Sequence, residues 1–154
     1  LAGGLESARL RLRHLVNSRS TERYLQEAGA AFAYARVPLE ARARVATLAA
    51  GCFWTPRATL ASTGGVLVAL AGFTGGDVAH TGGAPPTYEE VCSGSTGHVE
   101  AVQIAYDPEV ISYSHLLDVY WSLVPDVRSS YKQGADVGTQ YEPSIFYHSE
   151  AQRR

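Results

Sequence analysis

The chain has 154 residues, of which 45% are hydrophobic and 18% charged, and a formal net charge of −2. That length suits one domain with a single sizeable core and is too short for two ordinary ones. The charge balance excludes the strongly basic footprint of a nucleic-acid binder, and no apolar run approaches the roughly 20 residues that a membrane-spanning helix needs.

Charge is distributed unevenly, at +4 over the first 45 residues and −6 over the rest. The basic start has two readings. Its arginine-rich, acid-poor composition is that of a mitochondrial or plastid transit segment, and "LRLRHLVNSRSTERYLQEAGAAFAYARV" reads equally as an amphipathic helix or tethering arm. Residues 1–44 are therefore expected to be an arm or transit segment, residues 45–154 the functional domain, and the location cytoplasmic or organellar. The chain begins with Leu1 and contains no methionine, so it is expected to be processed or to be a fragment of a longer product.

The first element beyond Pro38 is "RVATLAAGCF", an apolar run that predicts a buried strand ending near Gly51. Pro56 suits the first turn of a helix through "TPRATLAST". "GGVLVALAGFTGG", bounded by glycine pairs, predicts a second strand, and residues 74–98 a long polar loop. "VEAVQIAYDP" alternates at Val102, Ile104 and Tyr106, which predicts a third strand with one covered face. A helix over "SYSHLLDVYWSLV" places Leu116, Leu117, Tyr120, Trp121 and Val124 on one side. A second long loop covers residues 125–142, "PSIFYH" is the last predicted strand, and "SEAQ" from Ser149 to Gln152 resembles a capping box opening a further helix. The order strand, helix, strand, strand, helix, strand matches an α+β, two-layer ferredoxin-like core of split βαβ type. The domain is expected to be truncated at its C-terminus.

Two cysteines, Cys52 and Cys92, are too few for a disulfide framework and lack zinc-ligand spacing. Cys52 falls between a strand end and a helix start, where free backbone amides and the helix dipole favour a thiolate, although cysteine is also among the most buried residue types. By the same token Phe53 and Trp54 read as core or as recognition surface. In "PPTYEEVCSGSTGHVEA", Tyr88, Cys92, His98 and Glu100 come close together. Glu100, at the mouth of the third strand, is a general acid if neighbouring aromatics desolvate it and a solvated strand-end carboxylate if they do not. A metal site of Cys92, His98 and Glu100 has no recognisable ligand spacing, and none is expected. "YKQGADVGTQYEPS" sets Asp136 between Gly134 and Gly138, with Tyr141 before the last strand. It reads as a polar turn or as a site wall, and lacks the alternation of an EF-hand.

Taken together, "GCFW", "PTYEEVCSGSTGHVEAVQIAYDPEVISYSHLLDVYWSL" and "QGADVGTQY" resemble, in order and spacing, the motifs of the type A peptide methionine sulfoxide reductases over about two thirds of the chain. The resemblance implies a peptide-methionine (S)-S-oxide reductase that works through a cysteine sulfenic acid. Cys52 would be the nucleophile, Phe53 and Trp54 the seat of the substrate methyl group, and Glu100 the acid that protonates the sulfoxide oxygen. Tyr88 and Tyr141 would hydrogen-bond that oxygen, and Asp136 would hold the site and its water. It also implies no bound cofactor and no metal, an external reductant such as thioredoxin or a small thiol, oxidised proteins or free methionine sulfoxide as substrate, and a monomer without nucleic-acid or membrane partners.

The pattern departs from the family's at Thr55, Arg57, Phe73, Glu142 and "LVPD" (residues 123–126), none of which carries a group with a direct chemical role. No C-terminal resolving cysteine precedes Arg154, and Cys92 is expected to be structural. Two alternatives accompany the reductase reading: a degenerate or truncated sulfoxide-binding domain without turnover, and acyl transfer by Cys52 paired with His98.

Overall fold

The structure is a computed structural model that describes residues 43–77, 85–129 and 131–154. All but the last two residues of the expected N-terminal arm or transit segment lie outside the described residues, as does the middle of the first long loop. The elements are β1 (Arg44–Ala49), α1 (Trp54–Ala61), β2 (Val66–Thr74), α2 (Tyr88–Cys92), β3 (Val99–Tyr106), α3 (Tyr113–Leu123), β4 (Lys132–Gln133), β5 (Asp136–Val137), a 3-10 turn (Thr139–Tyr141), β6 (Ser144–Phe146) and α4 (Glu150–Arg153).

Four strands form an antiparallel sheet in the order β2-β3-β1-β6. The β1–α1–β2 unit leaves a gap that β3 fills, and the β3–α3–β6 unit leaves a gap that β1 fills. Two βαβ units therefore interleave, as the element order predicts for a split βαβ fold. On the helix-bearing face, Ala46 and Leu48 of β1 meet Val102, Ile104 and Tyr106 of β3, Leu60 of α1, and Leu116 and Tyr120 of α3. Burying each of the larger aliphatic chains contributes roughly 1.5–3 kcal/mol.

Four features differ from the sequence expectation, one being that the second long loop holds the short β4–β5 hairpin and a 3-10 turn. The third strand is covered on both faces rather than one, because Ala101 and Gln103 are buried as fully as their neighbours. Phe146 packs on Ala49, Val99 and Ala101 there, and Thr47 accepts a hydrogen bond from Gln103 Nε2 (3.1 Å) while its hydroxyl meets His148 Nε2 (2.8 Å). Next, the long loop contains α2, whose signal was the capping box in "TYEE": Thr87 Oγ1 accepts from Glu90 N and Glu90 Oε2 from Thr87 N. Finally, Trp121 is 51% exposed and forms a T-shaped pair with Tyr120, with ring centroids 4.8 Å apart. At about 100° per residue, positions 116, 120 and 124 stay within one stripe while 121 swings to the flank.

The helix starts follow from local chemistry. Pro56 sits in the first turn of α1, where its missing N–H has no helical acceptor to lose. Ser112 caps α3 by accepting from His115 N at 3.1 Å. Ser149 caps α4 in the same way, and Gln152 ties that turn to β1 by donating to the Val45 carbonyl at 2.8 Å.

Leu116→Ala is expected to cost about 2–5 kcal/mol in urea unfolding, because it empties a fully buried site, whereas Trp121→Ala is expected to cost under about 1.5 kcal/mol. Equal costs would contradict the stripe described for α3.

Candidate active site

The site begins where β1 ends. Gly51 has φ +82, and an added Cβ would stand 2.9 Å from Gln133 Cβ, so this turn needs glycine both for its backbone and for its closeness to a neighbour. Cys52 follows, half-buried, and then Phe53 as the N-cap of α1, without a side-chain cap. Two amides of this helix start face the site, that of Phe53 toward Glu100 and that of Trp54 toward Cys52. Thr55 and Arg57, two of the departures from the family pattern, leave the helix intact, with Arg57 N bonded to the Phe53 carbonyl at 2.9 Å.

Glu100 lies near the start of β3, only 2% exposed, and its Oε2 accepts a hydrogen bond from Phe53 N at 2.9 Å. Burial pushes this carboxyl above the usual range; the Phe53 amide pulls it back, and the nearby charge of Asp136 pushes it up again. With Oε2 engaged as an acceptor, Oε1 is the oxygen left to carry an acid proton.

Cys52 does not rest as the readily formed thiolate expected from its place at a helix start. Burial pushes the thiol up, the Trp54 amide opposes this, and the charges of Glu100 and Asp136 push it up further. Desolvation and like charge thus outweigh the helix terminus. Tyr141, at the end of the 3-10 turn, is also raised, first by burial and then by Glu100, Asp136 and Cys52, against a hydrogen bond from Gln140 that lowers it. Tyr88 is half exposed and pushed up to about 12, foremost by its hydrogen bond with Cys92 one turn along α2 and also by Glu100 and Tyr141. Cys52, Glu100, Asp136 and Tyr141 therefore share one electrostatic neighbourhood, with Tyr88 on its rim. Both phenols remain neutral donors at ordinary pH.

An aromatic row borders these groups. Trp54, 54% exposed, meets Phe53 edge-on at 5.3 Å; Phe53 meets Phe73 at 5.7 Å, and Phe73 meets Tyr88 at 6.2 Å. Phe73 stands opposite Glu100 in the β2–β3 register. Sequence reasoning treated Phe73 only as a departure, because its place in the site becomes visible only once the two strands are paired. Phe53 and Trp54, expected to seat a methyl group, thus belong to a row of four rings.

His98 is not brought to Cys52. It is 7% exposed and packs against Gly76, with Thr96 and Asp77 as its polar surroundings, and burial lowers its pKa. The pairing required for acyl transfer is therefore missing. Cys92, the last residue of α2, is exposed. Among the described residues, no three His, Cys, Asp or Glu side chains group closely enough to hold a metal ion.

Residues 44–154 match the family model described as peptide methionine sulfoxide reductase. Over 110 residues the chain is 53% identical to a peptide methionine sulfoxide reductase MsrA of Thermus thermophilus, covering 71% of this chain and 59% of that protein. It is 47% identical to the MsrA of Methanothermobacter thermautotrophicus over 109 residues, covering 71% and 61% of the two chains. The chain thus spans about six tenths of the length of these curated relatives. Among solved structures, methionine sulfoxide reductase A of Corynebacterium diphtheriae superposes with a TM-score of 0.65 at 30% identity, covering 76% of this chain and 51% of that one. Reduced Mxr1 of Saccharomyces cerevisiae superposes with a TM-score of 0.64 at 32% identity, covering 75% and 64%. The family match over most of the chain shows that it belongs to the peptide methionine sulfoxide reductase family.

Proposed function

We propose that this chain reduces the S epimer of methionine sulfoxide, free or within oxidised proteins, to methionine, with Cys52 as nucleophile and Glu100 as acid. The observation that carries this reading is the buried Glu100 carboxyl, bonded through one oxygen to the amide beside Cys52 and raised toward its neutral form. A sulfoxide sulfur accepts a nucleophile only as its oxygen gains a proton or strong hydrogen bonds. Glu100 supplies the proton, and the Tyr141 and Tyr88 hydroxyls supply hydrogen bonds. The aromatic row holds the methyl group, while Asp136 orders the site. Thr55 and Glu142 are exposed and Arg57 is half-buried, and Cys52, Glu100, Asp136 and Tyr141 influence one another electrostatically, which supports turnover over a binding-only role.

The electron count is simple. The Cys52 thiolate attacks the sulfoxide sulfur as the Glu100 proton passes to the oxygen, the oxygen then moves to Cys52 Sγ, and the thioether leaves. Substrate sulfur gains two electrons and Cys52 loses two, becoming a sulfenic acid. Two thiol equivalents from outside, such as a thioredoxin-like dithiol or a small thiol, then return Cys52 to the thiol and release water. No bound cofactor is required, and the unit that acts is a monomer.

Burial raises both Cys52 and Glu100, and the charge of Glu100 raises Cys52 further, so the two titrations are linked. The reactive form has one proton on Glu100 and none on Cys52. Rate should therefore rise with pH as the pair loses its first proton and fall as it loses the second, giving a bell-shaped kcat/KM profile.

Three outcomes follow. Cys52→Ser should form no methionine from the S-sulfoxide of N-acetylmethionine, while Cys92→Ser should still yield about one equivalent in a single turnover without reductant; the reverse pattern would reassign the nucleophile. Glu100→Gln should be slower by about 10²–10⁴-fold. It should also lose the alkaline limb, leaving a single rise set by Cys52 alone that lies at or above the acid limb of the parent chain, because Glu100 no longer supplies a second source of the first proton. An unaltered bell in that variant would remove Glu100 from the reaction.

A further inference from the structure

Gln133 lies in β4 and is 3% exposed, a burial that an amide tolerates only when its polar atoms are satisfied. They are. Its Oε1 accepts from Asp126 N at 3.1 Å, and its Nε2 donates to the carbonyls of Asp126 at 2.6 Å and Ser129 at 3.2 Å. The side chain thereby grips the main chain of the preceding loop. Its stem lies against Gly51, where an added Cβ would come within 2.9 Å of Gln133 Cβ and 3.4 Å of its Cγ. Its backbone pairs with Asp136 in the short β4–β5 hairpin.

One residue therefore touches the turn before Cys52, the loop behind the site and the strand that carries Asp136. The same hairpin leads directly into Tyr141: Gly138 N bonds to the Tyr131 carbonyl at 2.6 Å, and Tyr141 N bonds to the Gly138 carbonyl at 3.1 Å. If the hairpin moves, Asp136 and Tyr141 move together.

The geometry points to Gln133 as the positioning residue of this site, the clamp that fixes the Asp136–Tyr141 hairpin against the Gly51–Cys52 turn. It touches neither substrate nor the reacting atoms and acts through Asp136, Tyr141 and the cysteine turn. A neutral amide suits this task better than a carboxylate would. It can donate twice and accept once among main-chain groups, and it adds no further negative charge beside Asp136.

A residue that merely stabilised the loop would change the amount of folded protein and leave the folded site as it was. A clamp has a different signature, read at Cys52. The groups that face this thiol are Glu100 from β3, Asp136 from β5, Tyr141 from the 3-10 turn and the Trp54 amide from α1. Releasing the hairpin withdraws the charge of Asp136 and admits water, and both changes lower the thiol toward its ordinary value. The released enzyme should therefore become more reactive toward a small alkylating agent at neutral pH while becoming slower on a sulfoxide.

The test uses the whole chain carrying Gln133→Met, which keeps the stem against Gly51 and removes the three hydrogen bonds. Iodoacetamide modification of Cys52 is followed across pH, sulfoxide reduction is measured on the same samples, and thermal unfolding reports the folded fraction. The alkylation midpoint should fall and turnover per folded molecule should drop by roughly 10- to 100-fold, the scale expected when catalytic groups shift by about 1 Å. Asp136→Asn should lower the midpoint as well, and the double variant should fall short of the sum of the two single shifts if both act through one hairpin. If Gln133→Met does not fold, Gln133→Asn provides the same readings, since it retains the amide one methylene short of its partners. An unmoved midpoint, with activity lost only in proportion to folded protein, would overturn the clamp. The activity arm rests on the proposed sulfoxide reduction and the titration arm does not, so a parent chain without turnover would defeat the functional reading while the Cys52 titration still decides the role of Gln133.

Discussion

The site is organised around one hydrogen bond, from Phe53 N to Glu100 Oε2. Two groups that would each be costly alone satisfy one another there. The amide is one of those that every helix start leaves without an internal acceptor, and the carboxyl is one that a sheet interior would otherwise strip of water. Their union joins the first turn of α1 to β3, and so joins the cysteine turn to the central part of the sheet. A shift of either element relative to the other would expose both deficits.

The burial that raises Glu100 toward its neutral form also makes Cys52 a reluctant thiolate. These are two faces of the same low-dielectric environment, deepened by the charge of Asp136. The helix terminus aids the thiolate without determining its resting state. Position at a helix start is therefore an incomplete guide to cysteine reactivity when carboxyl groups from distant parts of the chain close over the thiol. The phenols share the constraint: raised and neutral, they donate hydrogen bonds without adding charge.

Much of this architecture was legible in the residues. The apolar runs, the proline in the first turn of α1 and the order of elements led to the interleaved βαβ topology, and the motifs around Cys52, Glu100 and Asp136 marked the groups that the fold brings together. What escaped sequence reasoning depended on pairing or summation. Phe73 enters the site through its register with Glu100, while Ala101 shares a cluster with Phe146 of β6, and Gln103 is held by Thr47 of β1. Trp121 looked like a core residue because the apolar stripe was drawn too wide. The protonation state of Cys52 is set by opposing contributions whose distances no linear pattern contains. The capping box in "TYEE" was present to be read, but a one-turn helix offers too few residues for periodicity to reveal it.

The grip of Gln133 on its loop consists entirely of contacts to main-chain atoms of Asp126 and Ser129. Such a grip is blind to the letters of the segment it holds. The stretch from residue 123 to 126, where this chain departs from the family's usual wording, can change its side chains while offering the same amide and carbonyls to the same partner. The specification of that wall is thus geometric rather than alphabetic, and its grammar is one of chain length and curvature. Two segments that share no side chain there can serve it equally well, while a single inserted residue would make them different.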